Sequence, residues 1–213
     1  MKIAVLISGR GSNLQALIDA CKDDSFPAKI VLVLSNKADA QGLERAKQAG
    51  IPTAFLVPKN FTDRDAFDAA ISEAIVASGA QFVCLAGYMR LLSEDFVRTW
   101  RDKLINVHPS LLPAFKGLNV HEQTLEAGAR FSGCTVHFVR PAMDEGPIIA
   151  QAVVPVLADD TPDTLAARIL EQEHIIYPLA VRLIAEGRVR VSTERVLVDG
   201  HQPPQGALIN PEG

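Results

Sequence analysis

Apolar runs and helical repeats alternate along most of the chain. Residues 2–7 form an almost unbroken apolar run that stops at Ser8-Gly9, the pattern of a strand covered on both faces. Residues 13–20 follow with Leu14, Leu17 and Ile18 at helical spacing, and Ser12 is placed as an N-cap. The alternation continues with a strand at 30–34, a helix at 41–49 closed by Gly50 and Pro52, and a strand at 53–57. A helix at 63–77 closed by Gly79, a strand at 81–86, a short helix at 93–100 and a strand at 103–107 ending at His108 come next. Such alternation predicts an α/β fold with right-handed crossovers and a mostly parallel sheet flanked by helices.

The pattern changes after His108. Residues 109–120 are rich in Pro, Gly and Leu and read as a loop, with a short helix expected at 120–127. Residues 133–139 and 148–156 alternate, are separated by a turn at 141–147, and predict an antiparallel hairpin. Pro162 opens a long helix over 163–185, closed by Gly187. The stretch after residue 200 reads as a poorly ordered tail. No repeat or linker divides the chain, so 1–213 is expected to be one domain.

Composition narrows the function classes. The 213 residues carry 21 Lys+Arg against 25 Asp+Glu, a net charge of -4 that argues against a binder of duplex nucleic acid. No apolar stretch approaches the ~18 residues of a membrane span, and the N-terminal run is too short for a signal-peptide core. Cys21, Cys84 and Cys134 are odd in number and widely spaced, without a metal-ligand pattern, which points to a reducing cytoplasm. The five histidines form no motif of the H-E-x-x-H kind, so no metal is expected.

Two segments carry chemistry. Ser8-Gly9-Arg10-Gly11-Ser12-Asn13 joins a buried strand to a helix, where glycine lets the backbone approach a ligand and the helix start offers free N–H groups. Leu14 stands where a dinucleotide fingerprint wants glycine, and the second strand ends Leu34-Ser35-Asn36 without an acid, so a nicotinamide cofactor is disfavoured. A phosphate site and a plain tight turn remain the two readings of this segment. Asn106 and His108 stand two apart at a strand's carboxyl end and point to one side. An amide and an imidazole so placed suit a carbonyl whose oxygen gains negative charge. Asp144 lies in the 141–147 turn and by itself reads as a turn residue; a hairpin folded back on the sheet would bring it to His108. His137 reads as a satisfied core residue or one that supports a neighbour.

These pieces together resemble the folate-dependent formyltransferases, and among them the phosphoribosylglycinamide formyltransferase family. The resemblance runs from Ile3 to about Gly206 and is carried by Gly11-Ser12-Asn13-Leu14-Gln15, Ser35-Asn36-Lys37-Ala38-Asp39-Ala40, Leu85-Ala86-Gly87-Tyr88-Met89-Arg90, Asn106-Val107-His108-Pro109-Ser110-Leu111-Leu112-Pro113, Gly133-Cys134-Thr135-Val136-His137 and Gln172-Glu173-His174. It implies a Rossmann-like formyltransferase fold with a C-terminal antiparallel hairpin and long helix. It also implies transfer of a formyl group from 10-formyltetrahydrofolate to the amine of 5-phosphoribosylglycinamide in purine biosynthesis, with no metal. By this resemblance Asn106, His108 and Asp144 are catalytic, and Gly11, Ser12, Asn13 and Glu173 hold the ribonucleotide. Arg64, Met89, Arg90, Leu91, Leu92, Asn106, Arg140, Pro141, Ala142, Met143 and Asp144 contact the folate. The expected partners are these two small molecules, with no nucleic acid or membrane and with a homodimer left open.

Three rivals are weighed against this. Methionyl-tRNA formyltransferases share the His-Pro-Ser-Leu-Leu-Pro stretch but carry a further C-terminal domain, whereas this chain ends soon after the long predicted helix. Formyltetrahydrofolate deformylases usually place a regulatory domain before the catalytic one, which here is expected to start at Met1. A nucleotide-binding module without catalysis would not need Asn106, His108 and Asp144 together.

Overall fold

The apolar N-terminal run becomes strand β1 (Lys2–Ile7), whose residues after Lys2 are all buried. The computed structural model, which describes residues 1–200 and 202–211, places β1 third in a seven-stranded sheet. On one side β1 pairs in parallel with β2 (Lys29–Ser35), which pairs with β3 (Thr53–Phe55). On the other side it pairs with β4 (Phe82–Leu85), followed by β5 (Leu104–His108), both parallel. Strands β6 (Phe131–Phe138) and β7 (Ile148–Pro155) complete the sheet antiparallel, forming the expected hairpin. The order β3-β2-β1-β4-β5-β6-β7 reverses direction between β1 and β4, and ligands bind outside the carboxyl ends of strands at such a switch point.

Alternation within β1 sends Ile3, Val5 and Ile7 to one face and Ala4 and Leu6 to the other. The first face is covered by α1 (Ser12–Ala20), α2 (Gln41–Gln48) and the long α6 (Pro162–Ala185). The second is covered by α3 (Arg64–Ala77) and α4 (Glu94–Thr99), with Phe67, Ile71, Ile75 and Trp100 at its centre. Helix α5 (Val120–Glu126) follows the loop after β5. Thr161 caps α6 in a reciprocal capping box with Thr164, and Tyr177 Oη donates to the Leu85 carbonyl at 2.8 Å, which fastens α6 under the end of β4. Among the described residues, no helix is long and apolar enough to cross a membrane.

Three expectations are corrected. Ser12 is the first helical residue of α1, and the cap position belongs to Gly11 in a left-handed conformation without a side-chain cap. Strand β3 stops at Phe55, because Leu56 and Val57 lead into a 3₁₀ turn at Pro58–Asn60. A second hairpin, β8 (Val189–Ser192) with β9 (Arg195–Val198), follows α6 where no element was expected. Val189, Val191 and Val196 pack onto the first core face. Of the expected tail, His201, Glu212 and Gly213 lie outside the described residues. Residues 202–211 form no helix or strand, and Asn210 Nδ2 donates to the Arg130 carbonyl at 2.7 Å.

Candidate active site

The turn after β1 is shaped by close packing of backbone. Gly11 has φ +71, and a Cβ there would lie 2.8 Å from the Gly42 Cα; the Gly42 N–H also donates to the Gly9 carbonyl at 3.0 Å. The close packing accounts for the glycines as a tight turn, and that turn leaves the start of α1 open. The first helical bond runs from Gln15 N to Gly11 O, and no side chain caps the N–H groups ahead of it. Uncapped N–H groups at a helix start are donors of the kind that suit an anion.

Asn13 points inward from this turn. Its Nδ2 donates to Glu173 Oε2 at 2.6 Å, and both side chains are buried. Burial pushes the Glu173 carboxyl up to about 7, against the opposing effect of the Asn13 bond. Asn13 Oδ1 is buried without a partner, so a polar acceptor remains open beside the turn.

Asn106 and His108 sit at the carboxyl end of β5, as expected. Asn106 lies opposite His137 in the β5–β6 register, with Nδ2 at 3.5 Å from His137 Nε2. His137 Nδ1 lies 3.0 Å from the Phe138 carbonyl. A carbonyl only accepts, so Nδ1 carries the proton and Nε2 offers its lone pair to Asn106. Burial lowers the pKa of His137, which keeps it neutral for this role. Sequence reasoning left its role open, and the signal lay in the register that sets it against Asn106.

His108 is 5% exposed. Its Nε2 donates to the Phe115 carbonyl at 3.0 Å, and its Nδ1 lies 3.5 Å from Asp144 Oδ1. Both ring nitrogens thus face oxygen acceptors. Asp144, in a left-handed conformation, also accepts from the Gly117 N–H at 2.7 Å through Oδ2. The 141–147 turn does fold back onto the sheet, and Asp144 ties two loops together at the imidazole. Below them Thr135 Oγ1 donates to the Ser110 carbonyl (2.7 Å) and accepts from Leu112 N (3.1 Å) and Gln151 Nε2 (3.0 Å). Thr135, Gln151 and the Gly117 amide were missed from sequence because their contacts span strands and loops.

Above these groups opens a cavity of about 610 Å³, well within the range of small-molecule sites. It is lined mainly by apolar groups of the 89–92 and 140–144 segments, with Asn106, His108 and His121 among its polar walls. His121 Nε2 is buried there without a partner. Arg90 lies 5.0 Å over the Phe67 ring, and its Nε has no partner. Ten of the eleven residues expected at the folate thus line one cavity. Arg64 does not: it is exposed at the first turn of α3. Gly11, Ser12, Asn13 and Glu173 lie outside the cavity on the same rim of the sheet.

Comparison with known proteins gives consistent results. The family model described as formyl transferase matches residues 1–181. The chain is 49% identical over 207 residues to phosphoribosylglycinamide formyltransferase of Escherichia coli (strain K12), covering 97% of this chain and 98% of that protein. It is 53% identical over 190 residues to the trifunctional purine biosynthetic protein adenosine-3 of Bos taurus, matching 89% of this chain but only 19% of that protein. The chain therefore corresponds to about a fifth of the bovine relative's length. Among solved structures, glycinamide ribonucleotide transformylase 1 from Symbiobacterium toebii superposes with a TM-score of 0.91 at 50% identity, covering 93% of each chain.

Proposed function

The chain belongs to the formyl transferase family, and from that premise we propose that it moves a formyl group from 10-formyltetrahydrofolate to the amine of 5-phosphoribosylglycinamide. It acts as a single catalytic domain in purine biosynthesis, in the cytoplasm, where its three thiols stay free. The observation that carries this reading is the convergence of Asn106, His108 and Asp144 between the apolar cavity and the glycine turn. Two relatives that match nearly end to end, one in sequence and one in structure, bear names for the same reaction.

The folate occupies the cavity against the 89–92 and 140–144 segments, with its formyl group at Asn106 and His108. The ribonucleotide phosphate rests on the N–H groups of Gly11, Ser12 and Asn13, and Glu173 accepts from its sugar hydroxyls. The amine attacks the formyl carbon; a C–N bond forms and the carbonyl oxygen becomes an oxyanion. Asn106 Nδ2, oriented by His137, donates to that oxygen. His108 Nε2–H donates too, exchanging the Phe115 carbonyl for the substrate oxygen. One such donor is typically worth about 3–4 kcal/mol in rate. The intermediate collapses as the bond to folate N10 breaks. The attacking amine gives up a proton and N10 gains one, passed through water beside the Asp144 carboxylate. No covalent enzyme intermediate is required.

Mixing the protein with both substrates and following the formylated ribonucleotide by mass spectrometry tests this. Formate without formylated product would mean a hydrolase, and binding without turnover a sensing module; either would replace the proposal.

A further inference from the structure

We propose that Glu194, at the tip of the C-terminal hairpin, is a positioning residue for the folate cavity, acting through Arg140. The inference rests on the folate reading of that cavity.

Arg140 begins the segment that lines the cavity and ends in Asp144. Each nitrogen of its guanidinium donates to a protein group. Nε donates to Glu194 Oε2 at 2.6 Å, one terminal nitrogen to Asp102 Oδ1 at 2.7 Å, and the other to the Val139 carbonyl at 3.1 Å. Only 9% of the side chain is exposed. Glu194 also accepts from Arg101. Three of its five N–H groups are thus committed to protein acceptors, one at each nitrogen, so the guanidinium is fixed in place. Its role is to hold the start of the 140–144 segment.

The two acids come from places that matter. Asp102 lies in the turn just before β5, the strand carrying Asn106 and His108. Glu194 lies in the two-residue turn between β8 and β9. Arg140 therefore ties three elements together: the entry to β5, the exit from β6 and the hairpin tip. Both acids have φ +57, and Thr193 beside Glu194 has φ +47. Two-residue turns of this hand prefer Asn and Gly, and a β-branched residue there is strained. A glutamate in such a turn brings nothing to the hairpin itself, but its carboxylate reaches Arg140.

This geometry makes Glu194→Gly a clean probe. Glycine suits the left-handed turn better than glutamate, so the hairpin keeps its core contacts through Val189, Val191 and Val196 while the carboxylate is lost. A tetrahydrofolate analogue with carbon in place of N10 serves as the unreactive ligand. In Glu194→Gly its Kd should rise about two- to fivefold, the scale of a part-exposed ion pair. Glu194→Gln, which keeps shape but not charge, should fall between. Affinity for the ribonucleotide and the melting temperature should hold. Hydrogen exchange of residues 139–147 should speed up in both variants. Unchanged exchange, or faster exchange with unchanged folate-analogue affinity, would overturn the proposal. A wild-type protein that fails to bind the analogue would refute the folate reading instead, and the exchange data would then decide the clamp alone.

Discussion

One imidazole, His108, faces an oxygen acceptor at each of its ring nitrogens. If His108 polarises the formyl oxygen, His108→Ala should lower kcat by about 10²–10⁴-fold, the usual worth of a placed acid. Substrate KM values should move little, and a variant retaining wild-type kcat would remove the role. Glu173 makes a different prediction. Its folded pKa of about 7 lies above the ordinary 4.5, so between these values the native state holds more proton than the unfolded chain. Stability should therefore fall as pH rises from about 4.5 to about 7, by up to about 3 kcal/mol in all. Glu173→Gln keeps the acceptor for Asn13 and should flatten that slope, as chemical denaturation at several pH values would show; an unchanged slope would mean that the carboxylate is well solvated. At this scale Asn106 and His108 were legible as candidates because residue type and strand-end placement coincide, whereas Asp144, by itself a turn residue, was a candidate through the resemblance alone. The Asp144–Gly117 bond and the tautomer of His137 stayed hidden, since both depend on partners far along the chain.

Elements differ in how plainly they announce themselves. The central strands were legible because burial on both faces leaves a continuous apolar run. The β8–β9 hairpin was not, because Thr193-Glu194 carries none of the turn residues that mark hairpins. The 140–147 loop depends on one glycine. Gly146 has φ +124, and a Cβ there would lie 2.1 Å from the Phe138 carbonyl. Gly146→Ala should therefore destabilise the fold by about 1–3 kcal/mol or more as the loop lifts off β6. Asp144 should move with it, so kcat should fall together with the melting temperature. A stable Gly146→Ala variant with full kcat would show that the loop adapts without cost.

Across the whole molecule, the glycine turn proposed for the phosphate follows β1, and Asn106 and His108, proposed to react, end β5, two strands further along. Neighbouring strands lie about 4.8 Å apart, so under the proposed function a phosphate on the turn would sit roughly 10 Å from the chemistry and act as a handle. Substituting Gly11 would confuse binding with packing, because any side chain meets Gly42. Trimming the ligand leaves the protein intact. Hydrogen bonds to a charged group are worth about 1.5–3 kcal/mol each, so the riboside lacking phosphate should lose about 10²-fold or more in kcat/KM. Folate-analogue affinity should be unaffected, and a riboside as good as the ribonucleotide would move the phosphate elsewhere.

The bond from Asn13 to Glu173 closes a span of 160 residues. A ribosome builds the chain from its amino end, and the first strand and its glycine turn emerge long before the last helix exists. That turn gains its acidic partner only after α6 has been made and has docked. A nascent chain thus exposes the turn early but cannot pair Asn13 with Glu173 until α6 has been made. If the proposed ribonucleotide binds there, it can reward only chains in which α6 has docked, which would make it a stabiliser of the folded domain rather than a template for the growing one.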